Sequence, residues 1–368
     1  MIPSLLAVTA VVITMAGVPG TPGHNDGAAN VALFNKPTEI ALDGQGKVYV
    51  VDRLNNAVRI VSASGVVSTY ALERSFPSLN FGGPMGGGIV IEPPGVSRFL
   101  PYAPPRVFIA SSGTHVILQP DTYGAATTHD FFYVGKPGVP GYADIAGEYE
   151  ISLDKPRFNT PTALAIDRRR YPLKCCGHRE VFIADTANGA IRKMTRVPDI
   201  EDEYGTAEIN TVAGGFVAPR GLAFGPDGSL YVADAGQHAI VRILPDGTSF
   251  VVAGKPFVPG NADGVPGMLN TPTGLDVDDA GNLYIADTGN STIRRLTAAG
   301  VLETIAGSPG ESGFADGDAR LARFNGPVGV QVAPDGSLIV ADTSNHVIRK
   351  ITFTAPPPPT PRHRGVRH

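Results

Sequence analysis

Tryptophan is absent from this 368-residue chain, and cysteine occurs only as the adjacent pair Cys175 and Cys176. A disulfide framework needs spaced pairs, so nothing is stapled across the fold. The two neighbours are left as a vicinal disulfide or as ordinary thiols in a loop. Charged residues make up only 17% of the chain and the net charge is −4. Nonspecific nucleic-acid binding usually needs a basic excess or stripe, and neither is present. The dense basic runs are Arg168-Arg169-Arg170 and the tail from Arg362 to His368, which read as a solvated loop and a frayed end. No run approaches the roughly 20 apolar residues that span a bilayer. No Gly-rich loop follows a strand and opens a helix, so phosphate-cradle chemistry is not expected, and the GxG strings are turns. His-x-His and His-x-x-x-His spacings are missing as well, which leaves no local zinc signature.

Glycine (45) and proline (33) are abundant, yet 42% of residues are hydrophobic. Frequent turns with enough apolar surface for a sizeable core suit many short buried strands. The chain also repeats itself, which outweighs every other signal. Val48-Tyr49-Val50-Val51-Asp52 is followed by Asn55 and Val58-Arg59, and Val181-Phe182-Ile183-Ala184-Asp185 by Asn188 and Ile191-Arg192. The runs ending at Asp234, Asp287 and Asp342 are followed by Gln237, Asn290 and Asn345 in the same register. A worn copy ends at Ser111, with Thr114 and Ile117 in place. That makes six copies.

Upstream of most copies stands Asn-x-Pro, at Asn35, Asn159, Asn270 and Asn325, with degenerate versions at Pro84 and Pro219. Between the landmarks lie hairpin turns such as Asp227-Gly228 and Asp335-Gly336. After each copy comes a fourth landmark such as Thr304-Ile305-Ala306-Gly307. Each unit therefore reads as four short antiparallel strands. The second is apolar at nearly every position, as expected of a strand covered on both faces. A ring of sheets supplies that cover, because each sheet packs against two neighbours. The expected fold is all-β: a six-bladed β-propeller of four-stranded antiparallel blades.

The pattern Gly281-Asn282-Leu283-Tyr284-Ile285-Ala286-Asp287-Thr288-Gly289-Asn290, with Asn-x-Pro before it and Ile293-Arg294 after it, resembles NHL repeats. The segment from Ala306-Gly307 to Asn325-Gly326-Pro327 is similar to the long linkers of bacterial and extracellular NHL proteins. The resemblance spans residues 11–353. It implies a propeller, and it says little about function because such folds host many tasks. With the linker type and the Pro-rich end, it leans towards an extracellular or cell-surface setting.

Residues 1–353 are expected to form the propeller and residues 354–368 a Pro-rich, basic tail, a stiff spacer or docking ligand. Leu5 to Ala16 has the apolarity of a secretory leader, but no Lys or Arg precedes it. Val12 to Gly17 matches the fourth-strand landmark, and the last copy lacks a fourth strand. Residues 1–17 are thus expected to close the last blade, with strand 11–15 beside 348–353; a cleaved leader is the alternative.

Asp52, Asp185, Asp234, Asp287 and Asp342 recur around the ring, so they cannot converge on one substrate. Each opens a tight turn and is expected to serve it structurally, by Asx-type hydrogen bonds. His115, His238 and His346 share one position in alternate copies, on outer turns. Three such turns cannot bring imidazoles within about 2.1 Å of one zinc, although peptide-amidating lyases, which resemble this fold, use histidines around a central metal. No cofactor or metal is expected. Asn290-Ser291-Thr292 is a glycosylation sequon, and Asn290 is also a repeat landmark.

What differs between blades is the loops, where function usually lives. Linkers 17–35, 135–159, 254–270 and 307–325 are long, whereas 214–218 is short, leaving a gap where a partner would meet Phe216, Arg220 and His238. The opposite face carries insertions 92–105 and 168–179, the latter with Arg168, Arg169 and Arg170, which suits an assembly contact. The expectation is a non-enzymatic module that binds another protein, a glycan or an assembly. An enzyme acting at the central depression and an RNA-binding propeller are the alternatives.

Overall fold

The computed structural model describes residues 9–70, 87–92, 106–120, 131–144, 157–167, 179–197 and 206–354. They form six antiparallel sheets arranged as propeller blades. In blade 1 the strands run Pro37–Leu42, Val48–Asp52, Ala57–Val61 and Val66–Thr69 from axis to rim, and blades 2 to 6 repeat this order. Their inner strands are Ile89–Glu92, Pro161–Ala165, Pro219–Phe224, Pro272–Val277 and Pro327–Val332.

The N-terminal strand Thr9–Ala16 is the fourth strand of blade 6. It pairs antiparallel with Val347–Thr354, with Val11 opposite Thr352 and Val12 opposite Ile351. The ring is closed by joining the two ends of the described chain. Two-residue strands at the rim, Gly27–Ala28 and Gly317–Asp318, add a fifth pairing to blades 1 and 6.

There is no single core. Six apolar clusters fill the seams between neighbouring blades. The second strand of blade 1 shows why its sequence does not alternate. Val48 and Val50 enter the seam with blade 6, and Tyr49 and Val51 enter the seam with blade 2. Both faces of the strand are interior. At the axis the inner strands nearly touch. A Cβ on Gly221, Gly274 or Gly329 would lie 2.0, 2.3 or 2.5 Å from a carbonyl oxygen of the next blade's inner strand. Glycine at these positions is required by approach, since no side chain fits there.

Candidate functional site: the linker face and the axis

The second strands end on the face that carries the linkers, and the repeated Asp stands at that end. Its carboxylate is fully buried. In blade 5, Asp287 Oδ1 accepts the Asn270 N–H at 2.7 Å, while Oδ2 accepts Asn290 Nδ2 at 2.7 Å and Arg294 Nη1 at 2.9 Å. Arg294 is itself buried. Its Nη2 donates to Asp263 Oδ1 at 2.6 Å, and Met268 and Ala262 offer it carbonyls. The same set recurs as Asp52–Arg59–Asp26, Asp185–Arg192–Asp144 and Asp342–Arg349–Asp316. Rings of Phe34, Phe158, Tyr142, Phe314 and Phe324 cover three of the four guanidinium groups.

Desolvation pushes the Asp287 and Asp342 carboxyls up to about 6, against the hydrogen bonds and the arginine charge that favour ionisation. Each linker Asp also ties its arginine to the outer strand of the same blade. Asp26 accepts from Thr69, Asp144 from Thr211, Asp263 from Thr304 and Asp316 from Thr14. Thr14 in the N-terminal strand thus fills the place that Thr304 fills in blade 5.

In four blades these carboxylates are engaged within the fold otherwise than through the expected Asx turns. In blades 1, 3, 5 and 6 the carboxylate makes no capping bond to the turn that follows it. It holds the start of the inner strand and, through arginine, the linker. Blade 4 shows the dependence. Val241 replaces the arginine, linker 214–218 is short, and Asp234 takes the N–H groups of Val217 and Ala218, both at 2.9 Å, together with the Gln237 N–H of its own turn at 3.3 Å, the expected Asx-type bond. Blade 2 has a hydroxyl pair here, Thr114 donating to Ser111 at 2.6 Å, with Leu118 at the arginine position.

The histidines that share a position also hold the fold. His115, His238 and His346 adopt left-handed backbone, with φ of 60, 56 and 61°. Each Nδ1 accepts an N–H from the next blade: Thr160 at 3.0 Å, Thr271 at 3.0 Å and Lys36 at 3.2 Å. His238 is therefore a strut between blades 4 and 5. Asn290 is buried, and its Nδ2 donates to Gly260 O and Asp287 Oδ2, both at 2.7 Å. The sequon nitrogen is committed in the folded chain, so glycosylation at Asn290 does not fit. Arg168, Arg169, Arg170, Cys175, Cys176, the insertion between Glu92 and Arg106, and the tail beyond 354 lie outside the described residues.

Phe216 is half-buried against the seam between blades 3 and 4. Beside it Val217 is 52% exposed, over Gly236 of the blade 4 turn. On the other side of that turn, Phe257 is 67% exposed and donates its N–H to Gln237 O at 2.9 Å. Gly20, Gly138 and Gly310 make the same bond in the other three long linkers, to Asn345, Thr114 and Asn290. All four residues have positive φ, with 63° at Phe257. A bulky residue in left-handed backbone is uncommon, and three of four linkers place glycine there. The sequence held this signal in Pro256-Phe257 against Pro-Gly at 19–20, 137–138 and 309–310.

On the opposite face, the inner strands enclose a cavity of about 240 Å³ whose lining includes Ala41, Ala165, Ala223, Asp276 and Gln331. Asp276 accepts the N–H groups of Val277 and Val332 at 2.9 and 2.8 Å, so both of its oxygens are engaged. Further along the axis Glu39 takes the place that small residues fill in the other blades, and burial pushes its carboxyl up to about 8. Among the described residues, no three His, Cys, Asp or Glu side chains gather as a metal site. No helix of the described residues is long and apolar enough to cross a membrane.

With this architecture in place, the NHL repeat family model matches residues 269–296 and 324–351, within blades 5 and 6. The chain is an NHL-repeat β-propeller. This NHL propeller is similar to the protein SUPPRESSOR OF QUENCHING 1, chloroplastic, of Arabidopsis thaliana, 26% identical over 353 residues, covering 92% of this chain and 27% of that protein. It is also similar to teneurin-3 of Danio rerio, 32% identical over 162 residues, covering 38% of this chain and 6% of that protein. The chain thus spans a small part of either relative. Among solved structures, an auxiliary nutrient binding protein from Bacteroides ovatus superimposes with a TM-score of 0.65 at 17% identity, covering 95% of this chain and 78% of that one. A streptogramin B lyase superimposes with a TM-score of 0.53 at 14% identity, covering 94% and 98%. At such identities the likeness concerns the fold alone.

Proposed function

We propose that this NHL propeller is a non-enzymatic binding module that engages another protein on its linker face, at blade 4. The observation that carries this reading is Phe257, an exposed aromatic kept in a conformation that the equivalent positions give to glycine. Left-handed backbone costs an L-residue about 1–2 kcal/mol, and burial does not repay it here. Strain at an exposed position is a mark of function. With Val217 across the same turn, and with the wall low at 214–218, Phe257 forms an apolar contact surface on rigid supports. Meanwhile the repeated Asp, Asn, Arg and His side chains are occupied in fastening linkers and seams, which leaves no repeated constellation free for chemistry among the described residues. The assembly contact expected at Arg168, Arg169 and Arg170 would be a separate surface.

A photo-crosslinking residue placed in turn at 217, 257 and 310, with the full chain exposed to native extract, tests the reading. Discrete adducts from 217 and 257, absent from 310 on the blade 6 side, are expected. Equal labelling from all three positions, or none, would remove blade 4 as the docking side.

A further inference from the structure

The inner strands meet the linker face among repeated hydroxyls, and at two places an arginine stands where other blades have threonine. In blades 3 and 5 an inner-strand threonine pairs with the threonine that opens the outer turn: Thr162 with Thr186 and Thr273 with Thr288, both at 2.6 Å. The turn threonine also reaches the first residue of the next inner strand. Thr186 donates to Pro219 O, Thr288 to Pro327 O and Thr343 to Pro37 O, at 2.6 to 2.7 Å. This position therefore faces the mouth of the central channel. In blade 1 the turn threonine is replaced by Arg53, and in blade 4 the inner-strand threonine is replaced by Arg220.

Blades 1 and 4 are opposite each other in a ring of six, so the two cations approach across the axis. Arg53 is near enough that its charge, after burial, holds the Arg220 guanidinium below its ordinary proton affinity. Both exchanges carry a local cost. The Thr38 hydroxyl, which would pair with a turn threonine, is buried without a hydrogen-bond partner. Arg220 makes no hydrogen bond or ion pair among the described residues, and its Nε is buried unsatisfied. An uncompensated, partly buried cation such as Arg220 is expensive, and a second positive charge facing it raises the cost. The buried arginines of the seams differ, since each of them has two carboxylates.

We infer that the linker-face mouth of the central channel is a binding site for an oxyanion, gripped by Arg220 with Arg53 facing it from the opposite blade. Carboxylate and phosphate share the required chemistry, an oxygen pair that accepts two guanidinium N–H bonds. The site goes beyond the docking surface at blade 4 and does not depend on it. Either a free anion or the acidic side chain of a peptide would supply the group.

The test is calorimetric titration of the full chain at constant ionic strength with inorganic phosphate, with acetate and with a capped Glu-containing peptide. Saturable binding of at least one probe is expected, weakened about ten- to a hundredfold by Arg220→Thr, the loss of one charged hydrogen-bonding group. Arg242→Gln, which removes an exposed cation paired with Asp227, should leave it unchanged. Tighter binding of the peptide identifies a partner's side chain as the source, and tighter binding of phosphate or acetate identifies a free anion. Because Arg220→Thr and Arg53→Thr remove a charge and install the residue type of blades 3 and 5, both variants should melt no lower than wild type without the probe. No saturable binding of any probe, or equal binding by Arg220→Thr, overturns the site.

Discussion

Arg294 shows how a single side chain organises this fold. It lies in no water, touches two carboxylates, and joins the end of one strand to a linker more than 30 residues earlier in the chain. Breaking a buried ion pair by removing one partner is far more damaging than the pair's own net contribution. Arg294→Val, which installs the residue type of blade 4 without its short linker, should cost about 3–5 kcal/mol in denaturant unfolding. Asp287, already pushed up to about 6, will take a proton more readily once the guanidinium is gone. The penalty should therefore be full at alkaline pH, where the variant's carboxyl is ionised, and shrink as the pH falls towards 6. Asp263→Asn, at a half-exposed carboxylate, should cost less than about 1 kcal/mol. Equal losses in the two variants would show that the buried pair is not the anchor.

At the scale of elements, strands were legible in the sequence and their fastenings were not. The second strands and the hairpin turns announced themselves through apolar runs and Asp-Gly, because burial on two faces and positive φ restrict composition. The N-terminal strand was readable from Val12 to Gly17 alone, because it repeats Leu302 to Gly307. The roles of Asp287 and Arg294 were misplaced or missed, since their partner Asp263 lies far off in the chain and no local pattern links them. The histidines were seen as a threefold set, but the N–H groups that donate to them sit on the next blade. That placement sets their pH behaviour. Nδ1 of His115 and of His346 accepts an N–H, so it must carry no proton, and burial holds both imidazoles below their ordinary value of 6.5, with Lys36 adding to the effect at His346. A lowered folded value means that the unfolded chain binds the proton first. The stability these histidines contribute is complete above pH 6.5 and is lost as the pH falls through their folded values. Wild type should lose more of its melting temperature between pH 8 and pH 5 than His115→Asn/His346→Asn, in which asparagine keeps the left-handed backbone, as Asn56 does in blade 1. Parallel pH profiles would contradict the seam role.

Across the whole molecule, six seam cores and a closed ring make a stiff support on which the linkers are pinned by buried arginines in four blades. A rigid ring with one low wall presents a surface, and Phe257 stands on it in strained backbone. The measurement that bears most directly on this account pairs the melting temperature of Phe257→Gly with its crosslinked or retained partner. Relief of about 1–2 kcal/mol of strain should raise the melting temperature by about 1–3 °C in a chain of this size, while partner capture falls to background. A variant that is less stable than wild type, or one that holds its partner undiminished, would contradict the claim that Phe257 is kept for binding.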